Sequence, residues 1–438
     1  TGKVASTGFY ANTVNQKFTF DATDKLSFYA RGGYYDNKTR RPYEAYDYNI
    51  LHETFNYGIG AQYMINKGNY ITADCYADHF SSSYCFFKDN KTYNGKAGEE
   101  QVRKRTRNHN LSIKGIFKLG NRHKLSVGTE YIVDVLKSQT DNIAKEDAYT
   151  LALFAQDEIK LLRNLQALIG VRYIYHENFK NHATPNVALM YKPGKFNFRA
   201  SYAAGFRTPT LSELYATDIA KKNDRLTIGN LDLKPEKNNY FSLSAEYVHE
   251  RFSVSVNAFY NNIRDMIDYN TIATGDKAME QYGHKEVRQR DNIAEAKVHG
   301  INVSANAYLG AGFNLSGGYT HLNTQDVELE QPIDKSIKNA YNINAQWAHS
   351  WKIYRLNINL NGRFNSKRFS KSYGYAPEYQ LWNLNTRHSF NLKSVIIEPG
   401  CGMENLFDYM DDRPYNSNYA TLTPGRSFYI SLSLKFKS

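Results

Sequence analysis

The 438-residue sequence predicts an all-β fold, a membrane-spanning antiparallel β-barrel. Three observations lead there. Apolar and polar residues alternate with period two almost from end to end. The alternating runs look long, on the order of ten or more residues, as a tilted membrane strand requires. The connections are short and long by turns, which places tight turns on one rim and polar loops on the other.

The alternation is plain in individual runs. Phe252, Val254, Val256, Ala258 and Tyr260 share one face, and Ser253, Ser255 and Asn257 the other. Tyr354, Leu356, Ile358 and Leu360 alternate with Arg355, Asn357, Asn359, Asn361 and Arg363. Phe428, Ile430, Leu432, Leu434 and Phe436 alternate with Ser431, Ser433 and Lys435. A soluble β-sandwich alternates too, but its strands average about half this length.

Short turns are expected at 21–25, 66–69, 120–122, 163–164, 193–195, 250–251, 310–311, 350–352 and 391–393. Long polar loops are expected near 38–50, 83–107, 138–146, 207–236, 271–289, 323–337, 367–377 and 411–425, with a shorter one near 177–182. The charged run 88–107 reads as a mobile external loop. Pro399, inside the run 394–408, reads as a bulge or rim bend. The pattern gives roughly nineteen strands in one barrel domain over residues 1–438. Both the first run (about 8–21) and the last (about 426–437) end on the short-turn rim, so the count is odd. Single-chain bacterial barrels usually have even numbers. The barrel is therefore expected to be incomplete at its N-terminus, by one strand or, for a 22-strand type, by three.

Composition excludes several classes. Aromatics are 14%, with 36 Tyr and 24 Phe, and tyrosine suits a boundary between oil and water. Mean hydropathy is −0.63 and no apolar run approaches ~18 residues, so transmembrane helices are excluded. The net charge of +12 suits anionic outer-membrane lipid, lipopolysaccharide included, or an anionic ligand. The cations are scattered, which argues against nucleic acid. Cys75, Cys85 and Cys401 lack metal-site spacing. Cys75 and Cys85 either close a small loop or are free thiols. No signal peptide is visible at Thr1, so an exported chain is read here in trimmed form. No G-x-S-x-G or H-E-x-x-H motif is present, and Glu246, Glu398 and Glu404 read as ordinary inner-face polar residues. No enzyme, metal site or cofactor is expected.

Several segments carry a family resemblance. They are Leu153-Phe-Ala-Gln-Asp-Glu-Ile-Lys160 with Gly170-Val-Arg-Tyr173, then Arg199-Ala-Ser-Tyr-Ala-Ala-Gly-Phe-Arg-Thr-Pro-Thr-Leu-Ser-Glu-Leu-Tyr215. Gly229-Asn-Leu-Asp-Leu-Lys-Pro-Glu236 and Glu404-Asn-Leu-Phe-Asp408 follow. In this order they resemble the barrel of the TonB-dependent receptors. Family members usually end on an aromatic residue, whereas here Lys437 and Ser438 follow Phe436. The resemblance implies energised uptake of a scarce, bulky ligand: an iron–siderophore complex, haem or cobalamin. It also implies an N-terminal plug and contact with the TonB complex, both through a part not visible here, and allows a surface lipoprotein partner.

Proline ends strand pairing at Pro209 and Pro235. Arg207 and the loop 207–236 either only fold that segment or line a ligand vestibule. Tyr373 and Tyr375, and Tyr415 and Tyr419 near Arg413, are candidate ligand contacts at the outer mouth. Aromatic faces with a guanidinium suit flat or catecholate-like anions; the alternative is an aromatic girdle. Some receptors resembling this chain bind haem through a histidine between the F-R-x-P and N-x-x-L segments. None lies between Pro209 and Leu231, and His176, His182 and His284 read as solvated loop residues. The competing function is a passive porin-like channel, which shares the fold but needs neither plug nor TonB.

Overall fold

A computed structural model describes residues 8–41, 47–220, 224–371, 373–411, 420, 421, 423 and 425–437. The strands are β1 (Phe9–Asp21), β2 (Leu26–Thr39), β3 (Tyr48–Asn66), β4 (Asn69–Phe86), β5 (Glu100–Leu119), β6 (His123–Ser138), β7 (Ile143–Leu162) and β8 (Leu165–His176). Next come β9 (Lys180–Tyr191), β10 (Phe196–Arg207), β11 (Thr217–Ala220), β12 (Arg225–Ile228), β13 (Glu236–Val248), β14 (Phe252–Thr274), β15 (Glu286–Gly310) and β16 (Phe313–Asp326). The last are β17 (Asn339–Trp351), β18 (Tyr354–Asn365), β19 (Arg368–Ser370), β20 (Gly374–Ala376), β21 (Tyr379–Asn391), β22 (Val395–Glu404) and β23 (Ser427–Phe436). Helix α1 (Leu211–Tyr215) precedes β11, and α2 (Gly275–Tyr282) joins β14 to β15.

Nineteen of these strands form the wall, each antiparallel to the one before it; β10 pairs with β13 and β18 with β21. The short strands β11, β12, β19 and β20 belong to the loops. The expected count and the alternation of short and long connections both hold. Among the described residues no pairing joins β1 to β23.

The wall has no ordinary core. Its accessible surface is 27122 Å², against roughly 17,000 Å² for a compact soluble monomer of this mass. The excess arises because a single sheet is uncovered on both faces. On the outer face Phe55, Ile59, Leu111, Ile113, Leu153, Ile169, Val187, Leu243 and Ile301 are all exposed. The inner face carries polar ladders: Ser201 with Ser242 and Ser255 with Ser304 (both 2.7 Å), Asn238 to Asn261 (2.9 Å), Asn197 to Glu246 (2.8 Å), and Arg172 with Glu130. An apolar outer face left bare is unstable in water and stable in hydrocarbon.

Aromatic belts bound this band. Toward the short turns, Phe196 packs on Tyr247 at 4.9 Å and Tyr247 on Phe252 at 5.6 Å. Around the wall, Trp351, Tyr354 and Phe390 stack in series at 5.6 and 5.1 Å. Toward the long loops, Tyr131, Tyr149 and Tyr175 form a row on β6, β7 and β8, at 6.0 and 6.1 Å.

Three expectations are corrected. The run 88–107 is not one loop: β5 begins at Glu100. Residues 87–99 fold on themselves through the Asn90–Gly95 bridge and hydrogen bonds from Tyr93 N to Asn90 Oδ1 (2.9 Å) and Ala97 N to Asp89 Oδ1 (2.8 Å). Pro399 makes no bulge. Its register against β23 is unbroken, and the ladder to β21 skips the positions around it because proline has no amide to donate. Cys75 and Cys85 lie on the same strand, ten residues or roughly 33 Å apart. They cannot bond to each other.

The two faces make opposite demands on a charge. We expect Leu243→Arg, on the outer face, to cost roughly 2–4 kcal/mol in denaturant unfolding from lipid vesicles. Ser244→Arg, one residue along and facing inward, is expected to cost less than about 1 kcal/mol. Equal costs would rule out the assignment of faces.

Candidate functional site

Among the described residues three small buried clusters lie at the long-loop rim. One joins Leu214, Leu233 and Ile267; a second Ala273, Ala278 and Val287; a third Ala376, Tyr379 and Ala420. The loops are therefore built as structure rather than left as tethers.

The segment 208–235 is the clearest case. Pro209 stops β10, and Thr210 caps α1 in a reciprocal box. Glu213 N donates to Thr210 Oγ1 (3.2 Å) and Thr210 N to Glu213 Oε2 (2.8 Å). The Arg207 guanidinium then bridges two carboxylates, Glu213 at 2.8 Å and Glu236 at 2.6 Å. These open and close the segment, so one side chain ties its two ends. Gly229 passes so close to Leu214 O that a Cβ would lie 2.4 Å from it, which requires glycine there. Asn230 N donates to Glu213 O, and Asp232 N to Asn230 Oδ1.

Both flanks of the segment are stitched to the wall. At one, Ser212 Oγ and the Thr217 amide donate to Asp141, whose carboxylate also meets Lys104. At the other, β12 pairs in parallel with residues 286–289 of β15. Lys234 N donates to Asn292 Oδ1, and Asn292 Nδ2 to Lys234 O and Asp265 O.

A second feature lies on the inner side of β3 and β4. Tyr48 and Tyr84 stack at 4.0 Å; Phe86 packs edge-on at 5.7 and 6.3 Å, and Tyr93 at 5.7 and 5.2 Å. Two guanidiniums cover the rings: Arg41 over Tyr48 at 5.2 Å, and Arg103 over Tyr84 and Tyr93 at 5.3 and 5.1 Å. Arg103 Nη1 donates to Gln139, while its Nε is buried with no hydrogen-bond partner among the described residues. Stacked faces beside a guanidinium suit a flat, electron-rich anion. The sequence reading missed this group. Its signal was Tyr84 and Phe86 at period two on the face that is otherwise polar.

The candidates named from sequence are distributed as follows. Arg207 holds the loop clamp. Tyr373 and Tyr375 sit at the tip of the β19–β20 hairpin, 57% and 56% exposed, with Tyr375 edge-on to Phe369 at 5.4 Å. No contact among the described residues joins them to Arg207. Arg413, Tyr415 and Tyr419 lie outside the described residues. The three histidines are engaged locally. His176 Nδ1 accepts from Asn178 N, His182 meets Phe179 O and stacks on Phe206, and His284 meets Asp224. Of the inner-face carboxylates, Glu246 accepts from Asn197, Glu398 pairs with Lys435 and Glu404 faces Ser427. Among the described residues no three metal-ligating side chains converge.

Burial pushes the Glu213 carboxyl up, but the Arg207 and Thr210 hydrogen bonds outweigh it and hold it below the usual range. A carboxyl with a depressed native pKa stabilises the fold above its unfolded value, near 4.5, and loses that as pH falls through the native value. A spin label at exposed Leu231, in a cysteine-free background, should stay immobilised at pH 7 and loosen only as the pH falls below the ordinary carboxylate value of 4.5. Arg207→Gln should loosen it at pH 7, at a cost of roughly 1–2 kcal/mol to loop docking. An unchanged spectrum in both cases would remove the clamp.

Comparison with known proteins fits this architecture. The family model described as TonB dependent receptor-like, beta-barrel, matches residues 2–405. The ferric enterobactin receptor of Pseudomonas aeruginosa is 23% identical over 371 residues, 73% of this chain. The chain spans about half (49%) of that relative. A crystal structure of a mutant of the P. aeruginosa ferric enterobactin receptor superposes with a TM-score of 0.82 at 18% identity, over 99% of this chain and 72% of that one. The siderophore receptor PirA of P. aeruginosa gives 0.74 at 16%, over 98% and 71%. The wall, its loop clamp and the family match agree: this chain belongs to the TonB-dependent receptors and forms their outer-membrane β-barrel.

Proposed function

We propose that the chain is the wall of an energised importer that takes a ferric siderophore through its long-loop mouth. One observation carries the choice of cargo: the partly exposed, inward-facing rings of Tyr84 and Tyr93 under Arg103, held in place by the buried rings of Tyr48 and Phe86. Iron chelates with aromatic, anionic arms match such a surface, and the relatives named above include receptors for a ferric siderophore. Tyr373, Tyr375, Arg413, Tyr415 and Tyr419 are proposed as further contacts around the mouth, with Arg207 acting by holding the 208–235 loop. Haem and cobalamin are the remaining cargo classes of this reading. The relatives lend no support to passive diffusion.

The lack of pairing between β1 and β23 among the described residues and the relatives' greater length support a wall completed by further strands and closed by a plug. We place TonB contact in that additional part. A surface lipoprotein is a further partner this reading allows.

The test is growth of a receptor-deficient bacterium carrying the complete natural chain. Growth on a ferric siderophore that requires TonB is expected. Growth on haem or cobalamin alone would redirect the cargo, and TonB-independent growth would overturn energised transport. In binding measurements, Tyr84→Ala with Tyr93→Ala should weaken ferric siderophore affinity about tenfold or more. Unchanged affinity would remove the stack from the site.

A further inference from the structure

The inner side of β5 carries cations toward both ends. At the long-loop end Arg103 covers Tyr84 and Tyr93. Below it Thr106, Asn108, Asn110 and Ser112 are uncharged, and Lys114 and Lys118 follow on the same face. Lys118 lies fifteen residues from Arg103, roughly 40 Å deeper at the tilt of such barrels.

Lys118 borders a cavity of about 710 Å³ at the short-turn end of the inner face. Arg122, Lys124, Lys160 and Arg199 border it too, against one carboxylate, Glu158. Glu158 is already engaged: its two oxygens meet Lys124 at 3.1 and 3.3 Å. Lys118 stands directly opposite Lys124, so two ammonium groups face each other across the ladder. Among the described residues Lys118, Arg122 and Lys160 have no ion-pair partner. Arg199 leans on Met190 Sδ at 3.3 Å and reaches Glu246 only at 4.0 Å. The hydroxyls of Ser201 and Ser242 share one hydrogen bond at 2.7 Å, which leaves one hydroxyl proton free, and Gln166 adds an amide.

Farther round the wall the inner face is different. A cavity of about 520 Å³ on β15 to β21 is lined by Asn306, Asn342, Asn344, Asn361 and Asn383, with Arg363 the one charge among its described residues. An anion inside the wall is therefore drawn to the β5–β10 side.

We propose that Lys118, Arg122, Lys160 and Arg199 form an exit station for the anionic ferric chelate, at the short-turn end of the lumen. The station rests on the reading of the cargo given above. The cavity has the volume of a small-molecule site. Ammonium and guanidinium groups meet the anionic arms of the chelate, and the serine hydroxyls and Gln166 its remaining oxygens. The occupant is the cargo because the patch repeats, on the same strand, the positive charge that the mouth presents to it. A second site on the route lowers the energy of the chelate once it has left the tyrosines. The station therefore sets the rate of passage and leaves capture at the mouth unchanged.

The test uses the complete natural chain in a receptor-deficient bacterium, with a radiolabelled ferric tris-catecholate as probe. Binding is measured on de-energised cells and uptake on energised ones. The triple variant Lys118→Gln, Arg122→Gln, Lys160→Gln should bind within about twofold of the unvaried chain, yet take up the chelate about fivefold or more slowly. The charge-keeping variant Lys118→Arg, Arg122→Lys, Lys160→Arg should stay within about twofold in both measurements. Uptake by the triple Gln variant at the full rate would overturn the station, as would a loss of binding equal to the loss of uptake. Free entry of a small chromogenic β-lactam through that variant would also overturn it, assigning the patch to the seat of a plug. Absence of TonB-dependent uptake by the unvaried chain is a separate outcome: it would overturn the cargo reading, and the station with it.

Discussion

Hydrocarbon offers no partner to a peptide amide, and the wall is built around that fact. Each wall strand is bound to the next by an antiparallel ladder, interrupted beside Pro399 and by bulges near strand ends and in the β14–β15 extension. Because the ladder satisfies the backbone, the side chains are released from making a core. They can face lipid on one side and water on the other, one residue apart. Even Pro399 obeys the constraint, its missing amide falling where the ladder to β21 skips.

The loops solve the opposite problem. They stand in water, so they need burial and ion pairing to hold a shape. Arg207 joins the start of a long segment to its end, while Leu214, Leu233 and Ile267 give it a small dry centre. The strands β14 and β15, at 23 and 25 residues, outgrow any membrane and supply a fixed upright for that segment. The cost of ordering these residues is offset by contacts within the segment and by its hydrogen bonds to the tall strands of the wall.

Much of the wall was legible in the sequence because lipid on one face and water on the other leave a period of two that no loop imitates. Runs such as Phe252–Tyr260 located strands to within a few residues. The site was less legible. The motif containing Arg207 was visible, but its partner Glu236 is 29 residues away and only folding brings them together. Tyr48, Tyr84 and Tyr93 come from two strands and a loop, so no local pattern links them. The charged run 88–107 was misjudged because charge reads as solvent exposure, whereas the outer half of a tall strand is also charged. A ten-residue separation of Cys75 and Cys85 suggests a loop only until both are placed on one straight strand.

The parallel pairing of β12 with β15 sets a limit on motion. A loop hydrogen-bonded into a wall strand at one flank, and pinned to Asp141 at the other, has no free hinge. It cannot swing on the nanosecond scale of an ordinary surface loop. Any displacement must either break four residues of ladder or carry the top of the β14–β15 upright along with it. The described residues of the 208–235 segment therefore form a fixed part of the mouth.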